Sequence, residues 1–146
     1  MTTTEQKRIL LVDDDPAGAE LTVATLSDFK LGAEVDVTSD GDEALDYLFR
    51  RGAYTHLSGP LPALVLLDLK MPRVDGHEVL RQIRTDPRLR TLPVFILTSS
   101  NLEADVESSR SLGCNGYIVK PVEMENFVND LRRLQEFWTI LNRTPP

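Results

Sequence analysis

The chain has 146 residues, a formal net charge of -7, 41% hydrophobic and 27% charged residues, enough for one domain with a single good core. The negative balance argues against a nucleic-acid or anionic-membrane partner, and no window reaches the roughly 18 apolar residues that a membrane span needs. Cys114 is the only cysteine, which excludes an intrachain disulfide and a multi-cysteine metal site, and the polar start MTTTEQKR lacks a signal-peptide apolar region. Together these features point to a cytoplasmic protein.

Ile9-Leu10-Leu11-Val12 opens the folded pattern as a short continuous apolar run. Asp15-Pro16 then supplies an N-cap and a proline at the first position of a helix. Val35 and Val37 alternate with polar neighbours, the pattern of a half-exposed edge strand. Ala44, Leu45, Leu48 and Phe49 form one apolar helix face, with Gly52 placed to end that helix and a longer loop following to Pro62. Ala63 to Leu67 is continuous and apolar. Val79, Leu80 and Ile83 form the next helix face, stopped near Asp86-Pro87. Val94 to Leu97 is a further continuous run, then Ser100 with Glu103 makes a capping box and Gly113 closes that helix. Tyr117-Ile118-Val119 is the last short run. The final helix is expected over about 122–142, where Met124, Phe127, Leu131, Leu134, Trp138 and Leu141 stand 3, 4, 3, 4 and 3 apart, a heptad-like seam.

Five βα units in strict alternation imply an α/β domain: a parallel sheet, helices on both faces and right-handed crossovers. Ligands of open α/β sheets bind beyond the carboxyl ends of the strands. Those ends carry Asp13-Asp14-Asp15, Asp68, Thr98-Ser99-Ser100 and Lys120-Pro121. Three gathered carboxylates repel one another, and a hard divalent cation such as Mg²⁺ removes that cost. A metal beside a carboxylate, a lysine and a hydroxyl is the equipment of phosphoryl transfer, with Asp68 as nucleophile.

The motifs Ile9-Leu10-Leu11-Val12-Asp13-Asp14-Asp15, Leu67-Asp68-Leu69-Lys70-Met71-Pro72 with Asp75-Gly76, Ile96-Leu97-Thr98-Ser99 and Gly116-Tyr117-Ile118-Val119-Lys120-Pro121 stand in order along the chain. In them the sequence resembles the receiver domain of two-component response regulators. The resemblance implies a flavodoxin-like (βα)5 fold with strand order 2-1-3-4-5. It implies that Asp13 and Asp14 position Mg²⁺ with Asp68 and the backbone carbonyl of Lys70. Asp68 is then the phosphoacceptor, Thr98 the hydroxyl switch, Tyr117 the aromatic switch, and Lys120 the partner of a phosphoryl oxygen across a cis bond to Pro121. Lys70 and Ser99 stand where family members vary and tune the phosphoryl lifetime. The expectation is one receiver domain over 1–146 without an output domain: a switch phosphorylated by a sensor histidine kinase, not an enzyme with a separate substrate.

The stretch from Gly41 to Tyr54 and the tail from Phe137-Trp138 to Pro145-Pro146 look like single-domain regulators encoded beside bacterial phytochrome histidine kinases. That resemblance implies a phytochrome kinase as partner and a homodimer formed through the last helix. Trp138 and Leu141 beyond the usual domain limit, with Leu134, are the candidate interface, since an exposed apolar patch favours association.

Blander readings exist for each residue. Asp13 to Asp15 could merely favour a helix N-terminus, and capping is the better role for Asp15. Tyr117 could be plain packing, His56 and His77 are isolated, and Cys114 is incidental. A haloacid-dehalogenase-like phosphatase would also use Asp13 and Asp15 at a spacing of two, but its nucleophile follows the first strand, and nothing after Lys120 supplies its further late acids at a strand end. An interaction module that has lost phosphorylation is disfavoured by the intact set Asp13, Asp14, Asp68, Thr98 and Lys120.

Overall fold

The computed structural model describes residues 7–28, 33–99, 103–134 and 140. The elements are β1 (Lys7–Val12), α1 (Pro16–Asp28), β2 (Ala33–Thr38), α2 (Gly41–Phe49), β3 (Leu64–Asp68), α3 (Gly76–Thr85), β4 (Val94–Thr98), α4 (Glu103–Ser111), β5 (Gly116–Val119) and α5 (Met124–Leu131). The five strands form one sheet in the order β2-β1-β3-β4-β5, and every neighbouring pair is parallel. This is the flavodoxin-like receiver fold expected from the sequence, with β2 on one edge.

Alternate strand residues leave opposite faces of a sheet, and the core divides accordingly. Leu10, Val12, Val65, Leu67, Val94 and Ile96 pack against Ala44, Leu48, Val79, Leu80 and Ile83 of α2 and α3. Ile9, Leu11, Leu64, Leu66, Phe95 and Leu97 pack against Leu26 of α1 and Phe127 and Leu131 of α5. The Phe95 and Phe127 rings meet edge to face at 6.0 Å. β1, β3 and β4 are buried on both faces, which is why they read as unbroken apolar runs. Each fully buried Leu or Ile contributes about 1.5–3 kcal/mol of transfer free energy.

The helix ends follow local chemistry, with one correction. The Asp15 carboxylate accepts the Ala17 N–H at 3.3 Å, a capping contact at the start of α1. Asp40 caps α2 by accepting the Glu43 N–H at 2.8 Å, and Glu43 accepts the Ser39 N–H at 2.8 Å. α2 ends not at Gly52 but at Arg50, whose φ of 55° is left-handed. The guanidinium of Arg50 offsets that strain by donating to the carbonyls of Tyr47 and Pro60 and lying over the Tyr47 ring. Gly52 (φ 61°) instead opens a short 3-10 turn, Gly52–Tyr54. α3 stops at Asp86 before Pro87, and Gly113, at φ 86°, follows α4 as the sequence predicts. The Ser100 and Glu103 capping box lies outside the described residues.

α5 is described over Met124–Leu131 and is followed by tighter turns, in which Arg133 N–H donates to Asp130 at 3.3 Å and Leu134 N–H to Leu131 at 2.8 Å. Apart from Ile140, the rest of the helix expected to about 142 lies outside the described residues. No helix among the described residues is long and apolar enough to cross a membrane.

Candidate functional site

Register alone brings three charged side chains together. Leu11 pairs with Leu66 and Val12 with Leu67 across β1 and β3, and Leu97 pairs with Ile118 across β4 and β5. Counting on by two from Leu11, Leu66 and Ile118 reaches Asp13, Asp68 and Lys120. All three leave the sheet toward the side of α1 and α5, one step past the apolar layer. The Asp13 N–H extends the sheet by donating to the Thr38 carbonyl at 3.1 Å, and the Lys120 N–H donates to the Thr98 carbonyl at 2.7 Å. These backbone bonds fix where both side chains begin.

Lys120 Nζ lies 2.7 Å from Asp13 Oδ2 and 3.1 Å from Asp68 Oδ2. Asp13 and Asp68 are 2% and 6% exposed, whereas Asp14 faces solvent. Carboxylate oxygens of Asp13, Asp14 and Asp68 all lie within 4.8 Å of one another. Burial pushes the Asp68 carboxyl above the usual carboxylate range, and Asp13 adds to that; Lys120 and the Lys70 N–H, which donates to Asp68 Oδ1 at 3.1 Å, work in the opposite direction. Burial also works against the Lys120 cation. The hydrogen bond to Asp13 and the charge of Asp68 outweigh it, so the Lys120 pKa is raised. The site therefore holds a desolvated carboxylate of raised proton affinity against a lysine whose cationic form its two acid partners favour.

The donor set fits a hard divalent ion: oxygen ligands only, two of them buried and one open to water. The backbone of Lys70 leaves the same strand end, and the Lys120–Pro121 peptide is cis. Thr98 is fully buried at the end of β4. Tyr117 is half-buried on β5 and packs on the α2–α3 side of the core. Of the candidate interface residues, Leu134 is buried in the chain's own core beside Phe127, Leu131 and Ile140, whereas Trp138 and Leu141 lie outside the described residues.

The sequence left one supporting residue without a role. The Gly76 N–H donates to the Leu69 carbonyl at 3.0 Å, and a Cβ at Gly76 would collide with the Asp68 carbonyl. Only glycine lets α3 start against the peptide that follows Asp68. The Asp75-Gly76 pair after Pro72 was the available signal.

Residues 9–132 match the model of the response regulator receiver domain. The chain belongs to the response regulator receiver family. Its members are phosphoacceptor switches rather than enzymes acting on a separate substrate, and the acidic triad is typical of the receiver metal site. This receiver is 39% identical over 94% of its length, and 86% of the relative's, to a probable methanogenesis regulatory protein, FilR2, of Methanothrix harundinacea. It is 36% identical to the response regulator Rcp1 of Synechocystis sp., covering 90% of this chain and 88% of that protein. Among solved structures, the bacteriophytochrome response regulator AtBRR superposes with a TM-score of 0.86 at 47% identity, over 96% of this chain and all of that one (100%). The Mn²⁺-bound form of Rcp1 superposes with a TM-score of 0.74 at 35% identity, over 96% of this receiver and 99% of that chain.

Proposed function

We propose that this receiver accepts a phosphoryl group on Asp68 from the phosphohistidine of a sensor histidine kinase, and that the kinase is a bacterial phytochrome. The observation that carries the first part is the contact of Lys120 Nζ with both Asp13 and Asp68 at a buried strand end. The similarity to bacteriophytochrome response regulators supports the second.

In the transfer, an Asp68 carboxylate oxygen forms a bond to phosphorus. The bond from phosphorus to the imidazole nitrogen breaks, and its electron pair returns to that nitrogen. Asp13, Asp14, Asp68 and the Lys70 carbonyl would hold Mg²⁺, which when bound neutralises charge on the transferring phosphoryl oxygens. Lys120 exchanges its contact with Asp68 Oδ2 for a phosphoryl oxygen while keeping Asp13. Thr98 donates its hydroxyl to the same group. Its displacement alters the packing of Tyr117 and shifts a two-state surface around β4, α4 and β5.

The test is transfer from an autophosphorylated bacterial phytochrome kinase of the same source to the wild type and to Asp68→Asn, with Mg²⁺ present. The wild type takes the label and the variant does not. Label on Asp68→Asn would overturn the phosphoacceptor assignment, and no transfer to the wild type would overturn the kinase pairing.

A further inference from the structure

The segment that follows Asp68 is held from outside the site. Arg73, in the turn between β3 and α3, has a φ of 62°, a left-handed conformation that a non-glycine residue adopts at a cost. Its guanidinium reaches across to the start of α2: Nη2 lies 3.0 Å from Asp40 Oδ2 and Nε 3.4 Å from Asp42 Oδ2. Beside it, a Cβ at Gly41 would collide with the Val74 carbonyl, so the two segments meet backbone to backbone.

Asp40 is a rigid anchor. Its Oδ1 already caps α2 through the Glu43 N–H, which leaves Oδ2 fixed for Arg73. Asp40 lies two residues after Thr38, whose carbonyl receives the Asp13 N–H. Three residues after Arg73 stands Gly76, packed on the Asp68 carbonyl. A physical chain thus runs from Asp13 through the end of β2, Asp40 and Arg73 to Asp68.

We propose that Arg73 is a positioning residue: its clasp on Asp40 and Asp42 sets the loop carrying Asp68 and the Lys70 carbonyl at the spacing from Asp13 that a divalent cation needs. This rests on the metal-dependent phosphoacceptor reading above. The ion pairs are exposed at Arg73, so their effect is modest, but supports around metal ligands tune affinity without touching the ion.

The probe is Mg²⁺ alone, titrated calorimetrically into the whole chain, with thermal melts beside it. Arg73→Gly keeps the left-handed turn available and removes the clasp, while freeing the backbone at that one position; the double variant with Asp40→Asn separates the two effects. It is expected to weaken Mg²⁺ about threefold, the scale an exposed pair carries, with little change in melting temperature. Asp40→Asn keeps the cap and should weaken Mg²⁺ similarly, while the double variant is no worse than Arg73→Gly. Arg73→Lys, which keeps a cation between the two acids, should restore most of the affinity. Wild-type affinity in Arg73→Gly, or additive losses in the double variant, overturns the clasp while leaving the phosphoacceptor reading intact. A wild type without Mg²⁺ affinity overturns both.

Discussion

Asp68 and Lys120 are opposed by the same burial and held together by each other. The Asp68 carboxyl is raised above its ordinary range, so the folded chain binds that proton more tightly than the unfolded chain does. Its ionisation therefore lowers stability as pH climbs from the unfolded value of about 3.9 through the higher folded value. Asp68→Asn has no such titration. In metal-free buffer its melting temperature should rise relative to wild type as pH climbs above about 4, and a difference that stays constant would contradict the assigned burial cost. Lys120→Met removes the only cation described against both acids. It should lower the rate of phosphoryl uptake about 10²- to 10³-fold, measured with a small acyl phosphate as donor. These residues were legible because strand ends are where an open sheet displays its chemistry, and each stands directly after an apolar run. Arg73 was not legible, since its left-handed turn and its partners 33 and 31 residues away leave no local pattern.

The strands and helices were legible for a different reason. β1, β3 and β4 are buried on both faces, so their apolar runs have no polar interruption, whereas β2 alternates because it is an edge. The end of α2 was misread because a tertiary contact overrode propensity: the bonds of Arg50 to Tyr47 and Pro60 hold a left-handed cap where glycine is the usual choice. Two consequences are measurable. Phe127 of α5 is fully buried against Phe95, so Phe127→Ala should cost about 3–5 kcal/mol in urea unfolding. On the edge formed by β1, β2 and α2, Arg8 donates to Asp36 at 2.8 and 3.0 Å and the Tyr47 hydroxyl donates at 2.6 Å. Arg8 first, then Tyr47, hold the Asp36 carboxyl below its usual range, while burial and the bond to Asp36 push the Tyr47 hydroxyl up to about 12. A depressed carboxylate contributes stability above its unfolded pKa and loses it as pH falls through the folded one. Asp36→Asn should therefore cost about 1 kcal/mol near neutrality, discounted for partial exposure. The deficit should shrink on acidification below about pH 4.

Two layers of helices around one parallel sheet place Asp13, Asp68, Thr98 and Lys120 together at the carboxyl ends of the strands; association through the last helix is an expectation from the sequence. Spacing grouped Leu134 with Trp138 and Leu141, but periodicity cannot tell a seam facing the protomer from one facing a partner, and Leu134 is 9% exposed within its own core. The two roles separate experimentally. Leu134→Ala should cost about 2–5 kcal/mol of protomer stability with no change in association. Trp138→Glu should convert a dimer to monomers in sedimentation, and an unchanged mass would discard the proposed contact.

The most direct measurement is the location of the phosphoryl group itself. The wild-type chain is incubated with Mg²⁺ and a small acyl phosphate, digested, and mapped by mass spectrometry. The account predicts modification on the peptide carrying Asp68, lost when Mg²⁺ is chelated and absent from Asp68→Asn. Modification on Asp13, or undiminished modification of Asp68→Asn, would contradict it.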